Sequence, residues 1–485
     1  MSKNTPNVLF LFIFLLCFGC ARNRLNIEDQ RLYNARKDVK TIYESVDSEV
    51  YRLNLDDIIR IALKRNLDLL VKKREIAVKY ESAMSDQLRM LPQLIANGEL
   101  SGRNKPLIVS SKSVDPTVPP APPSISSDQH VDRYDVNIIW NLLDFGLSYY
   151  KARQENNRYR MMQLEYEKIR QNLVLEITKS FWKAIAYKKA IEEGKDIVEL
   201  VAEQQKKIQA QIDEHLISKV KGYATEINLL TLEIQMKTFQ KEYDSAISEL
   251  ILKTGLPAYV RMELIEEKAP IREIVLADIL ELERVALQNR PELYSRDIES
   301  KIVEDEVRSA FLQMIPGIEL FAGDYYDANS YLTYKHWLAA GARASYNLFA
   351  LPQRIYDVKS GYKHKDLVKM NRLAESIAIL SQVRLAYIMY HDNFQEYVLA
   401  TKLDEVNDKL LKAAKDELQH GTLNPTEVLI YSSESLLAKA NALKALGEVH
   451  VSLEQINIAI GYPRYYREDQ DEESDETVGE SCSRD

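Results

Sequence analysis

The sequence predicts a mainly α-helical chain with a small β part, in which long antiparallel coiled-coil helices carry four strands. Three observations predict this class. The chain contains one structural unit twice, each copy holds period-two stretches, and heptad-spaced apolar residues run through long segments poor in glycine and proline. Glycine and proline number 15 each among 485 residues, about half the glycine of an average chain. Catalytic turns and phosphate-cradling loops need glycine, so its scarcity favours uninterrupted helices. A net charge of −9 with both signs interspersed gives no electrostatic reason to expect a nucleic-acid partner.

The N-terminus reads as an export signal, residues 1–20. Lys3 precedes the apolar run Val8 to Phe18, too short to span a bilayer as a helix. The run ends in Cys17-Phe18-Gly19-Cys20, and a small residue just before a cysteine resembles the bacterial lipoprotein processing site. Cys20 is thus a candidate for acylation, with simple signal cleavage nearby as the plainer reading. The remaining cysteine, Cys482, sits in an acidic tail. No internal cysteine is left for a disulfide framework or a metal site. Residues 21–52 are expected to be extended.

The duplication is read from matched segments. Ala62-Leu63-Lys64-Arg65-Asn66-Leu67-Asp68-Leu69 reappears as Ala286-Leu287-Gln288-Asn289-Arg290-Pro291-Glu292-Leu293, and Met90-Leu91-Pro92 as Met314-Ile315-Pro316, both displaced by 224 residues. Trp140-Asn141-Leu142-Leu143 matches Tyr346-Asn347-Leu348-Phe349, Ile217-Ser218 matches Leu423-Asn424, and Gly255-Leu256-Pro257 matches Gly461-Tyr462-Pro463, all displaced by 206. The shorter offset places an extra Pro/Ser-rich loop, 106–127, in the first copy. Repeats define the fold, and here they set the boundaries: 53–257 for the first copy, 258–275 for a linker, 276–463 for the second, and 464–485 for an acidic tail expected to be disordered.

Each copy opens with a helical pattern of about 35 residues, Leu55 to Arg89 and Leu276 to Gln313, ended by Pro92 and Pro316, since proline cannot continue the ladder. Strands follow at about 93–103 and 131–143, and at about 317–326 and 335–348. In the first copy Tyr134, Val136, Ile138, Trp140 and Leu142 fall on one face, with Arg133, Asp135, Asn137 and Asn141 on the other. Strands of about 10 residues with one apolar and one polar face suit a barrel wall with lipid outside and water inside. A hairpin packed on a soluble core is the commoner use of such a pattern, but the flanking helices offer no sheet to pack on. Four strands cannot close a barrel and lipid tolerates no open edge, so the reading requires several chains to share one barrel in lipid, and three copies would give twelve strands.

Behind each hairpin come helical regions of about 65 residues, Tyr149 to Ile212 and Gln353 to Gln419, able to reach roughly 100 Å. A short break and a helix of about 35 residues complete each copy. Leu229, Leu232, Met236, Phe239, Tyr243, Ala246 and Leu250 alternate steps of three and four, as do Leu446, Val449, Leu453, Ile456 and Ile460. That is a heptad seam. An antiparallel coiled-coil hairpin accounts for these residues without any further role.

From Leu53 to Pro463 the chain resembles the TolC-like outer-membrane efflux proteins. The carriers are the duplicated segment at Ala62, Leu91-Pro92-Gln93-Leu94, Trp140-Asn141-Leu142-Leu143-Asp144-Phe145-Gly146, Gly255-Leu256-Pro257, and Gly421-Thr422-Leu423-Asn424-Pro425-Thr426-Glu427-Val428. The resemblance implies a homotrimeric barrel in outer-membrane lipid and an α-helical tunnel through the periplasm, with a periplasmic adaptor protein and an inner-membrane transporter as partners. It also implies that the helix-hairpin turns touch the adaptor: His215, Leu216, Ile217 and Ser218 in one, Gly421, Thr422, Leu423 and Asn424 in the other. His215 departs from the small residue usual at this turn. Glu427 matches an acidic position that rings the tunnel entrance in this family, and three such carboxylates would attract cations. The plainer reading is a first-turn acid stabilised by its helix dipole.

No HExxH, GxxxxGK, GxSxG or GxGxxG is present and the seven histidines are scattered, so no catalytic residue, cofactor or metal is expected. A lipid-anchored periplasmic coiled-coil scaffold without a pore is the competing class. It uses the same heptads and Cys20, and it differs in needing no lipid-facing strands.

Overall fold

The computed structural model describes residues 27–44, 50–111, 114–115, 117, 119–265 and 273–461. Cys17, Cys20, the rest of the export signal, and the acidic tail at 464–485 lie outside the described residues. Two compact units emerge. One takes Met1–Asn66, Glu176–Ile271 and Ala400–Gly447, and the other takes Leu67–Leu175, Arg272–Leu399 and Glu448–Asp485.

In chain order the elements are α1 (Ile27–Glu44), β1 (Val50–Leu53), α2 (Leu55–Arg65), α3 (Leu67–Leu88), β2 (Gln93–Gly102), β3 (Leu107–Val109), β4 (Ser124–Ser127), β5 (His130–Asn141), α4 (Leu142–Asp213), α5 (Lys219–Thr254) and β6 (Arg261–Leu264). The second copy gives α6 (Ile279–Asn289), α7 (Pro291–Leu312), β7 (Gly317–Asp327), β8 (His336–Ser345), α8 (Leu351–Gln419) and α9 (Pro425–Ile460). Helices dominate, and α4 and α8 run for 72 and 69 residues.

The opening helix of each copy is two helices, not one. The breaks fall at Asn66 and Arg290, which are equivalent under the offset of 224. Asn66 is buried and donates through Nδ2 to Lys253 O at 2.9 Å. Arg290 is buried and donates through a terminal nitrogen to Ile458 O at 2.8 Å. Each therefore satisfies a carbonyl at the C-terminus of its own copy's last helix, groups that helix geometry leaves orphaned. Gly255 and Gly461 end those helices in the left-handed region, at φ 65° and 78°. A Cβ on Gly255 would lie 2.6 Å from Arg65 O, and one on Gly461 2.7 Å from the Asn289 carbonyl carbon. Only glycine permits both the turn and the contact.

The first unit packs α4, α5 and α9 around Ile197, Val201, Ile208, Ile212, Leu229, Leu232, Leu429 and Leu436. Five of the heptad residues read from the sequence, Leu229, Leu232, Phe239, Ala246 and Leu250, are buried on α5. In the same unit β1 pairs in parallel with β6, so the segments expected as an extended stretch and a linker each supply a strand. The stretch 21–52 also contains a helix, α1, of 18 residues. The second unit holds a four-stranded antiparallel sheet in the order β2-β5-β7-β8. The Pro/Ser-rich segment expected as a loop carries a short ribbon, β3 paired with β4.

Candidate functional site

The register of the sheet sorts its side chains into two faces. Leu94 lies opposite Ile138, Ile138 opposite Ala322, and Ala322 opposite Ala340. Neighbouring rungs on this face hold Trp140, Leu320 and Ala342, then Ala96, Val136, Asp324 and Leu338. Tyr134 and Tyr326 pair at the loop side with ring centroids 6.2 Å apart, and Trp140 meets Phe145 edge-on at 5.6 Å on the helix side. The apolar side chains are exposed: Tyr134, Val136 and Ile138 at about half, and Leu94 at 71%. The ionisable residues here lie toward the loops, where His336 Nε2 sits 2.7 Å from Asp324 Oδ1 and Asp132 stands beyond Tyr134.

The opposite face carries most of the sheet's charged and amide side chains, with Ile95, Ile139, Phe321, Tyr325 and Trp337 among them. Arg133 pairs with Asp327 at 2.9 Å and with Glu99 at 3.5 Å. Asn97 donates to Asp135 at 2.8 Å, and Arg343 stands 3.6 Å from Glu319. A sheet wet on both faces would show no such sorting, and one packed on a core would cover the apolar side.

Three expected strand residues, Leu142, Tyr346 and Leu348, fall elsewhere. Leu142 was expected on the apolar strand face, but β5 ends at Asn141 and Leu142 is the first residue of α4. The cause is Asn141, whose Oδ1 accepts from Leu143 N at 3.0 Å and Asp144 N at 3.3 Å. This is a helix cap. Asn347, its counterpart, accepts from Phe349 N at 3.1 Å and opens the 3-10 turn Leu348–Ala350. Strand β8 accordingly stops at Ser345 rather than 348, and Tyr346 and Leu348 lie beyond it. The repeated motif around Trp140 and Tyr346 thus encodes a strand-to-helix switch.

The two helix-hairpin turns are built alike. His215 adopts φ 60° and Gly421 φ 72°, so histidine occupies the left-handed position that its counterpart gives to glycine. Leu216 is exposed while Ile217 packs against the coiled-coil core. Ser218 caps α5 by accepting from Lys221 N at 3.3 Å. In the second turn Thr422 donates through Oγ1 to Glu417 O at 2.9 Å, Leu423 is half-buried, and Asn424 accepts from Thr426 N at 3.0 Å. Glu427 is exposed and accepts from Asn424 N at 3.2 Å. Its carboxylate thus reaches back to the cap residue's backbone at the start of α9.

At the loop side of the sheet, the connection after β4 is tied to the β7–β8 connection. Asp128 accepts from Ser330 N and, at 2.8 Å, from Ser330 Oγ. Buried Asn329 donates to Ser126 O at 3.2 Å and accepts from Asp128 N at 3.2 Å. The Ser330 backbone and hydroxyl hydrogen bonds hold Asp128 below the usual carboxylate range. Sequence reading missed this clamp, because its partners lie some 200 residues apart.

Among the described residues no three His, Cys, Asp or Glu side chains are grouped to hold a metal ion, and no helix is long and apolar enough to cross a membrane. No protein-family model matches the chain, and no curated protein matches it. Solved structures do match, and they show the fold to be that of TolC-like outer-membrane channels. The Campylobacter jejuni CmeC outer-membrane channel aligns over 87% of this chain and 88% of its own, at 13% identity and a TM-score of 0.70. The open state of the Neisseria gonorrhoeae MtrE outer-membrane channel covers 84% and 89% at 14% identity, TM-score 0.65. The Vibrio cholerae outer-membrane protein VceC covers 84% and 96% at 12% identity, TM-score 0.62.

Proposed function

We propose that the chain is one subunit of a trimeric outer-membrane channel-tunnel. Three copies would close a 12-stranded barrel and an α-helical tunnel that passes substrates from an inner-membrane transporter and its periplasmic adaptor to the exterior. The observation that carries this is the sheet: apolar and exposed on one face, polar on the other, with β2 and β8 at its unpaired edges. An open edge of this length needs a partner strand, in lipid above all.

The first unit supports the same reading. On α5 a second, exposed seam runs through Val220, Tyr223, Ile227, Leu230 and Ile234, and on α8 another runs through Leu403, Val406 and Leu410. Both keep steps of three and four, the signature of helices that expect a neighbour. A second and third copy of the chain would supply it.

Within this reading Tyr134, Val136, Ile138 and Trp140 face lipid. The turns at His215–Ser218 and Gly421–Asn424 meet the adaptor, Cys20 carries the lipid anchor, and Glu427 guards the tunnel entrance. Purified in detergent, the protein should run as a heat-modifiable trimer and give stepwise conductance in planar bilayers. A water-soluble monomer after signal removal would rule the proposal out. Glu427→Gln keeps an oxygen for the Asn424 cap and removes the charge. Unchanged cation preference in that variant would end the gate assignment without touching the channel.

A further inference from the structure

The polar face of the sheet contains one rung unlike the others. Asn97, Asp135, Tyr325 and Trp337 stand directly opposite one another across all four strands. The Tyr325 and Trp337 rings stack with centroids 5.8 Å apart and planes 11° from parallel. Trp337 remains 42% exposed. We propose that this rung binds organic cations passing along the barrel lumen, an inference that rests on the channel reading above.

The charge argument comes first. Asp135 accepts from Asn97 Nδ2 at 2.8 Å and from Asn137 Nδ2. Among the described residues no lysine, arginine or histidine pairs with it. Arg133, two residues away on the same face, is taken by Asp327 and Glu99, and Arg343 by Glu319. Asp135 is therefore held by amides, with no cation paired to it, on a face whose four carboxylates share two arginines. Beside it stands an indole–phenol stack whose ring faces attract cations. The pairing of a fixed anion with aromatic faces selects weakly hydrated, carbon-bearing ammonium groups over chloride or carboxylates.

Strand packing alone does not demand these rings. The first-copy counterparts of Tyr325 and Trp337 are Ser101 and Val131, and that hairpin pairs as regularly as the second. The aromatic pair belongs to one copy of the duplicated unit, so its presence on a water-facing surface calls for a ligand. A barrel of three chains would carry three such rungs at one height.

The test uses the full trimer in planar bilayers with benzyltrimethylammonium added on the barrel side. The probe should reduce wild-type current in a concentration-dependent way. Trp337→Ala and Asp135→Asn should each raise the half-blocking concentration about tenfold, while Trp337→Phe keeps most of the block. Trimer recovery on unheated gels verifies that each variant assembles. Variants that conduct normally and are blocked like wild type overturn the site, as does equal block by benzenesulfonate. A protein that forms trimers but no channel overturns the channel reading and this site with it.

Discussion

Ile138→Arg tests the sheet reading most directly. Ile138 sits on the apolar face between the Tyr134–Tyr326 pair and Trp140, whose separation of six residue steps is roughly 20 Å along the strand. That matches the middle of an outer-membrane apolar band, where an arginine costs about 2–4 kcal/mol per chain. In the proposed barrel of three chains the penalty would triple to about 6–12 kcal/mol, which rivals the whole stability of an ordinary domain. Ile139→Arg is the control. It moves one residue along β5, opposite Gln93 and Phe321 on the polar face, where a charge meets water. The assay is the yield of heat-modifiable trimer in outer-membrane fractions for both variants at matched expression. The expected result is near-complete loss for Ile138→Arg and a wild-type yield for Ile139→Arg. Equal yields, or failure of Ile139→Arg alone, would refute the assignment of faces.

Other perturbations test the scaffold. His215→Gly relieves a left-handed backbone at a non-glycine residue and should stabilise the first unit by about 1 kcal/mol in urea unfolding. Gly421→Ala should lose about as much through the backbone alone, because a Cβ there meets nothing within 4 Å. Glu155 is buried, which opposes ionisation, yet hydrogen bonds from Lys79 and Arg158 prevail and lower its pKa. Its contribution is present above the unfolded value of 4.5 and lost as pH falls through the folded value. Glu155→Gln should therefore cost on the order of 1–3 kcal/mol at pH 7 and less in acid. Asp305 has the opposite sign, since burial raises its pKa despite Arg153 and Arg308. Its contribution is full below 3.8 and lost as pH rises through the folded value, so Asp305→Asn should gain stability at pH 7 in the same unfolding assay. Asp128→Ala should free the β3–β4 ribbon, read as faster proteolytic cutting between 103 and 126 than in wild type.

Much of this architecture is legible in the residues, because duplication states every long element twice. The alternation in β5 is legible because successive strand side chains point to opposite faces, so an apolar and a polar face write a period of two. What escapes reading is local capping and long-range polar contact. Periodicity runs through Asn66 and Arg290 without a hitch, although Pro291 at the first position of α7 marks the second break, since proline forces its predecessor out of the helical region. Leu142 continues the period-two pattern and is still helical, because the Asn141 side chain overrides the pattern. The Asp128 clamp and the rung at Asp135 depend on register between copies, which no single segment encodes.

The duplicated unit also explains why the two hairpins can differ. Both copies keep the apolar face largely aliphatic, small or aromatic, from Leu94, Val136, Ile138 and Trp140 in the first to Leu320, Ala322, Leu338 and Ala340 in the second. The other face is less uniform, with Asn97 and Ser101 in one copy and Phe321 and Tyr325 at the matching positions of the other. Gly341 shows that the second choice is accommodated structurally, since a Cβ there would lie 2.6 Å from the Phe321 ring. Rings on that face need backbone concessions that the first copy never makes. Aromatic side chains confined to one copy at that cost are what the proposed cation site would use.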